Sequence, residues 1–436
     1  MMSRKRYHTA DVNRRTFLKA SGASVAATAL AGCTGGSDGG SDVFRVGAIY
    51  PLSGPVAETG QFIRDFLRHA EQVVNEPHDD LAPLVMSEEE GLSNHGNLPV
   101  ELVFADHRGA PDQGRAEAER LIQEENVNML VGGYHSSVTK TMSAVAEREG
   151  IPHTNFESSS PELTERGLDY FWRTGPHDLT FTTNMFQFFD GLNEQQNADL
   201  STVAILHEDS EFGTISARSQ VEKAGEYGYE VVAGPIAYGA EGLTSLESEL
   251  LTIRDADPDI LLPSSYLRDA EILMNDMKDL DYFPSLVMAQ NAGFNQAGFR
   301  DDAEISDYVC TRSTYADDIR LAVPEFEAYN ASAKAETGES FTGVYIRSWG
   351  GFLSAMHGVN SAASTDPADI QSALNTLEVP AVESGLPFGI DFANSGQNEL
   401  AGGVLIQYED GESNMIWPFD LAPADVVFPA PGWTER

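Results

Sequence analysis

From Val43 onward the chain alternates short apolar runs with longer stretches whose apolar positions recur every three or four residues. Phe44 to Tyr50, Val100 to Phe104, Val127 to Val131 and Ile151 to Asn155 read as strands. Between them, Gln61 to Asn75 predicts a helix with Phe62, Phe66, Ala70, Val73 and Val74 on one face, and Asp112 to Glu125 and Val138 to Glu149 predict two more. The same unit resumes after Gly175. Helices are expected from Leu179 and Glu211, over Leu243 to Arg254 and over Asp269 to Leu280. Strands are expected at Thr202 to Leu206, Tyr229 to Ala233, Ile260 to Pro263 and Ser285 to Ala289. These strands are too apolar to leave one face in water, so parallel sheets covered by helices on both sides fit best. Two successive sets imply two α/β lobes. Leu84 to Asn97, with its Ser-Glu-Glu-Glu and no periodicity, reads as an exposed insertion.

Charge changes the picture. The 436 residues carry 68 Asp+Glu against 27 Lys+Arg, only 6 of them lysine, for a net of −41. With 41% hydrophobic residues this is a folded chain with a carboxylate-rich surface rather than a disordered acidic tail. Such a surface suits concentrated salt, where a Debye length of about 3 Å screens self-repulsion. It also repels phosphate backbones, so nucleic acid is not an expected partner.

The first 32 residues read as an export signal. Arg14-Arg15-Thr16-Phe17-Leu18-Lys19 has the twin-arginine pattern, with Asn13 in the leading position, and an apolar stretch follows that is too short to span a bilayer. Leu30-Ala31-Gly32-Cys33 resembles a lipobox, so Cys33 is the expected lipidation site, and residues 33–42 form a Gly/Ser/Asp tether. Cys310 is the one other cysteine and is expected to be buried and unreactive.

Two stretches carry candidate chemistry. GGYHSSVT (132–139) follows one expected strand and SSSPELTERG (158–167) the next, so both lie where ligands bind in doubly wound sheets. Ser136 or Ser137, and the serine before Pro161, read as helix N-caps, whose free N–H groups favour an anion. Capping alone is the plain alternative. No nucleophile elbow, zinc-binding helix, phosphate loop or Cys/His cluster occurs, and the ten histidines are scattered. No catalytic residue, metal or cofactor is expected, and His135 reads as a neighbour of the grip rather than a base.

With these motifs the chain resembles the leucine/isoleucine/valine-binding proteins of ABC importers, in the form of a haloarchaeal-type exported lipoprotein. Tyr50-Pro51-Leu52-Ser53-Gly54-Pro55-Val56-Ala57, Asp106 to Ala116, and the two serine-bearing stretches carry the likeness. It continues weakly through Tyr266 and Met288 to Phe388-Gly389-Ile390-Asp391-Phe392. The resemblance implies a type I periplasmic binding protein fold: two doubly wound lobes, a three-stranded hinge, and closure on a solute. Lobe 1 would take 43–176 and 314–385, and lobe 2 177–313 and 386–436. It further implies that Ser136 and Ser159 hold a ligand carboxylate, with Tyr266 and Phe212 meeting it from the second lobe and His135 alongside.

Three positions depart from the family's pattern. Asn291 stands where a glutamate usually pairs with the ligand ammonium, and Glu157 is expected to supply the missing carboxylate. Thr59 replaces an aromatic pocket floor. Gly109 and His135 replace a disulfide that some members have. The expected protein is a monomeric, membrane-anchored solute-binding subunit serving a permease and its ATPase subunits, for an amino acid or an amide or urea-type solute. A chemoreceptor-presenting sensor is the alternative, and an exported hydrolase is disfavoured by the absent triad. Asn330-Ala331-Ser332 is a glycosylation sequon on a helix expected to be exposed.

Overall fold

The computed structural model describes residues 43–436; the signal segment, the tether and Cys33 lie outside the described residues. β1 (Phe44–Tyr50) pairs in parallel with β2 (Val100–Asp106) and β3 (Met129–Gly132). β4 (His153–Asn155) and β5 (Phe171–Arg173) extend a five-stranded parallel sheet ordered β2-β1-β3-β4-β5. Six of the seven β1 residues are buried, as a strand covered on both faces requires. The connecting helices are α1 (Ala57–Asn75), α2 (Pro111–Gln123) and α3 (Ser136–Glu149). α1 begins one turn before the apolar periodicity does. Thr59 and Gly60 are buried there, and a side chain at Gly60 would overlap the Pro51 carbonyl, so packing against the Pro51 turn sets the start.

After β5 the chain crosses to a second sheet by α4 (Asp178–Gln196). β6 (Thr202–Glu208), α5 (Glu211–Tyr227), β7 (Glu230–Tyr238), α6 (Glu247–Ala256), β8 (Ile260–Ser264), α7 (Leu267–Asp279), β9 (Leu286–Ala289) and β10 (Cys310–Ser313) follow. Cys310 is buried and free. The chain returns to the first lobe for α8 (Glu325–Thr337), α9 (Gly343–Ala362) and the small antiparallel pair β11 (Glu378–Val379) and β12 (Ile390–Asp391). It then crosses a third time to β13 (Val404–Glu409) and β14 (Glu412–Trp417), giving the order β14-β13-β10-β9-β8-β6-β7. β13 and β14 run antiparallel to their neighbours, so the second sheet is mixed rather than wholly parallel.

The first core joins β1 and α1 to α8 and α9, with Phe66 stacked on Tyr345 and Phe341 at 4.9 and 5.4 Å. α9 is buried on nearly all sides, the signature of a core helix.

Three expectations are corrected. Leu84 to Asn97 is not an exposed insertion: Leu84, Met86 and Leu92 enter the first core, because they plug the space beside Val74 and Trp349. Asn330 is buried, and its side-chain carbonyl accepts from the Phe341 N–H at 2.7 Å, so the sequon is not on offer at the surface. Leu386, Phe388, Ile390 and Phe392 pack in the first core, beyond residue 385 where the change of lobe is expected, and the chain enters the second sheet only at Val404.

Candidate functional site

β3 and β4 are parallel neighbours, so their carboxyl ends deliver the two serine-bearing turns side by side. The Ser136 hydroxyl accepts from the Ser160 N–H at 3.3 Å and ties one turn to the other. Neither turn is capped as expected. Ser136 is already the first residue of α3, the residue before it is His135, and no side chain caps that end. Ser160 precedes a single 3-10 turn (Pro161–Thr164) and also makes no side-chain cap. The second loop is held instead by Arg173, whose Nη1 donates to the carbonyls of Ser158 at 3.2 Å and Ser160 at 2.6 Å. Ser136 and Ser159 are therefore not consumed by capping.

A narrow interlobe cleft lies there, lined by Tyr134, Ser136, Glu157 and Ser159 from the first lobe and Phe212, Tyr266, Asn291, Ala292 and Arg312 from the second. Val344 and Arg347, from the first turns of α9, complete it. Each comes from a strand's carboxyl end, from β10, or from the first turns of α9. The lobes meet across the mouth. Tyr266 lies 4.9 Å from the His135 ring and 6.1 Å from that of Tyr134, and Lys140 bridges Glu162 at 3.3 Å and Glu211 of the other lobe at 3.1 Å.

Six expected site residues thus converge: Ser136, Glu157, Ser159, Phe212, Tyr266 and Asn291. Thr59 and His135 do not line the cleft. Thr59 is buried in α1, and His135 packs between His107 (5.3 Å) and Tyr266. Gly109 and His135 are neighbours in space, since a Cβ at Gly109 would sit 3.8 Å from His135 Nε2.

Glu157 is 5% exposed. Its Oε1 accepts from the Tyr50 hydroxyl at 3.0 Å and the Ser348 hydroxyl at 2.6 Å, while among the described residues Oε2 has no partner. Burial raises its pKa; Ser348, Arg347 and Tyr50 oppose that shift. The Tyr50 phenol is in turn raised, by burial and by Glu157.

Arg312 is held on every side but one. Nε donates to the Gln290 carbonyl at 2.6 Å, Nη2 to Ser159 Oγ and Asp178 Oδ1 at 3.2 Å each, and the guanidinium lies 3.8 Å over the Phe181 ring. Nη1 is buried and, among the described residues, unpartnered. Burial pushes its pKa down to about 9, against the pull of Asp178, so it stays charged at neutral pH. Asn291 Oδ1 is the third orphan at the cleft. The backbone is strained in the same place, with Tyr134 at φ +50°, Asn291 at +75° and Ala292 at +58°.

Sequence reasoning missed Tyr134, Arg312 and Arg347. Tyr134 lies inside the quoted GGYHSSVT. Arg312 interrupts an otherwise uncharged strand, and Arg347 is the one Lys, Arg, Asp or Glu in the 20 residues of α9. A lone charge in a buried element was the available signal.

Residues 43–407 match the family model described as periplasmic binding protein, and residues 11–31 match that of the twin-arginine translocation pathway signal sequence. Leu/Ile/Val-binding protein homolog 7 of Brucella abortus (strain 2308) is 24% identical over 398 residues, covering 88% of this chain and 94% of its own. Among solved structures, the branched-chain amino acid transporter substrate-binding protein LivJ of Streptococcus pneumoniae, in complex with isoleucine, superposes with a TM-score of 0.69 at 18% identity. That match covers 89% of this chain and 100% of the other. A solute-binding protein of an ABC transporter from Rhodopseudomonas palustris BisB5, in complex with 3,4-dihydroxybenzoic acid, gives 0.70 at 18%, covering 86% and 95%.

Proposed function

The chain belongs to the periplasmic binding protein family, and from that premise we propose that it is the exported solute-binding component of an ABC importer, holding a small amino acid or related polar solute between two lobes. One observation carries this. The hydroxyls of Ser136 and Ser159, which accept from the Ser160 N–H and from Arg312 Nη2, belong to residues that line one interlobe cleft together with Glu157, whose Oε2 is unpartnered among the described residues, and Arg312, whose Nη1 is unpartnered too. The donors suit a carboxylate, and Glu157 with Asn291 Oδ1 suits an ammonium, which supports Glu157 as the stand-in for the family's glutamate. A ligand that bonds both walls has higher affinity for the closed form, and that difference drives closure. Ser136, Ser159, Tyr266, Phe212, Glu157 and Asn291 are the proposed contacts, with Thr59 and His135 behind them.

The reading extends to an outer membrane-face location, with lipid on Cys33 after twin-arginine export, a monomer, and delivery to a permease and its ATPase subunits. The lobes divide near 43–176 with 314–385, and 177–313 with the remainder, residues 386–403 staying with the first lobe. A high-salt habitat follows from the acidic surface. An amide or urea-type solute is the second reading, favoured by the orphan Asn291 Oδ1. Thermal-shift screening in multimolar KCl against amino acids, short amides and urea tests the reading; no stabilisation by any of them would refute it. Loss of uptake on deletion separates transport from a sensor role, which would leave uptake intact.

A further inference from the structure

At the rim of the cleft the two lobes are tied by charge. Lys140 of α3 reaches Glu211 of α5 at 3.1 Å and Glu162 at 3.3 Å, and Arg218 of α5 meets Glu162 from the other side at 3.8 Å. The four groups alternate in sign along a path that leaves the second lobe at Glu211, runs through Lys140 and Glu162 of the first, and returns at Arg218. Glu211 and Arg218 stand about two turns apart on one helix, so α5 presents both toward the first lobe. Among the ion pairs of the described residues, Lys140–Glu211 and Glu162–Arg218 join the lobes, and every other pair lies within one lobe.

These residues adjoin the ones that line the cleft. Lys140 follows Ser136 by one turn of α3, Glu162 follows Ser159 in the same loop, and Glu211 directly precedes Phe212. The start of α5 is fixed to its own lobe: Ser210 Oγ accepts from the Phe212 N–H at 3.2 Å, and the Glu208 carboxylate accepts from the N–H groups of Ser210 at 2.7 Å and Gly213 at 2.8 Å. That end of the helix cannot follow Lys140 when the lobes part, so opening must break the bond. Exposed ion pairs contribute little, because solvent screens them and two long side chains lose freedom. Here the Glu211 side chain is only 16% exposed, which shields its end of the pair from water and salt.

We propose that Lys140 and Glu211, flanked by Glu162 and Arg218, form an interlobe clasp that holds the closed form together whichever solute is bound. This rests on the solute-binding reading above and adds positioning residues to it. None of the four lines the cleft, and each acts through the neighbouring residue that closure brings into place. A clasp favours the closed form before any solute arrives, so a fraction of the solute-free protein is closed, and it slows the opening that releases a bound solute.

The test is the distance between the lobes in solute-free protein, read by pulsed double electron–electron resonance in multimolar KCl. The mature chain carries Cys33→Ser, and spin labels sit at Ala116→Cys on α2 and Gly225→Cys on α5, both exposed; Cys310 is buried and stays unlabelled. With the clasp intact, a closed and an open population are expected. Lys140→Met and Glu211→Gln should each raise the open-to-closed ratio by about two- to fivefold, the upper range for a partly exposed ion pair. Lys140→Arg should keep the ratio, and the K140M/E211Q double variant should open the protein no further than the stronger single one. A merely structural role would lower the melting temperature and leave the distances unmoved. Unchanged populations in both single variants, effects that simply add in the double, or no closed population with the clasp intact overturns the inference. None of these outcomes bears on whether a solute binds, which the thermal-shift screen decides separately.

Discussion

Replacing Glu157 by glutamine separates the recognition of an ammonium from the integrity of the fold. Oε1 is the fold's atom: it takes the Tyr50 and Ser348 hydroxyls, and a glutamine carbonyl can take both. Oε2 is the free atom in the cleft, and Glu157→Gln turns it from a charged acceptor into an N–H₂ donor that meets an ammonium head-on. A hydrogen bond to a charged group contributes about 1.5–3 kcal/mol, so affinity should fall by roughly 10- to 150-fold. Thermal stability of the unliganded protein should move little, because glutamine avoids the desolvation cost that raises the Glu157 pKa while Arg347 loses a counter-charge.

The wild type adds a pH signature. Since burial raises the Glu157 pKa, the carboxylate gains its proton at a higher pH than an ordinary glutamate as the solution is acidified. Amino-acid affinity should therefore weaken earlier on acidification than a solvent-exposed Glu would give, and E157Q should lose that pH dependence. The assay is calorimetric titration of both proteins with the tightest-binding amino acid of a wild-type panel, across pH 4 to 8, with melting curves alongside (on the order of four pH units, spanning the carboxylate range). Equal affinities, or an affinity loss that merely tracks a fall in melting temperature, would refute the reasoning.

Two further outcomes follow from the packing and the charge. Trp349→Phe removes the Nε1 donor to His69 Nδ1 at 3.0 Å and shrinks a fully buried ring tilted against Phe341 and Tyr329, so unfolding free energy should drop by about 2–4 kcal/mol in chemical denaturation; a loss below about 1 kcal/mol would contradict the placement of that bond in the core. Raising KCl from about 0.1 M to multimolar concentration shortens the Debye length from about 10 Å to 3 Å or less, and with a net charge of −41 the melting temperature should climb steadily; a flat response would remove the argument for a high-salt habitat.

Much of this architecture is readable from hydrophobic period. The FRVGAIY run became a strand over the predicted residues, and α5 begins at Glu211 as expected, because the Ser210 hydroxyl and the Glu208 carboxylate fix that end locally. Boundaries moved where tertiary contact overrides local signal. α6 starts after Leu246, whose N–H is held by the Asp276 carboxylate of a different helix. The β13–β14 hairpin was overlooked although Asp410-Gly411, both with positive φ, is a strong turn signal between two apolar runs. The serine-bearing turns were legible as neighbours because parallel strands deliver them to one edge. Arg312 and Arg347 were not, since their approach depends on the crossings that bring β10 and α9 back to the cleft. The capping role assigned to the serines failed because the helix starts at Ser136 itself, with His135 before it, and the Ser136 and Ser159 hydroxyls accept from the Ser160 N–H and from Arg312 instead.

The most direct test is a high-salt crystal structure of the protein with its tightest-binding amino acid. A ligand carboxylate within about 3 Å of both Ser136 Oγ and Ser159 Oγ, with Tyr266 of the opposite lobe closed over it, is the predicted result. A ligand lodged elsewhere, or one that leaves both hydroxyls facing solvent, would contradict it.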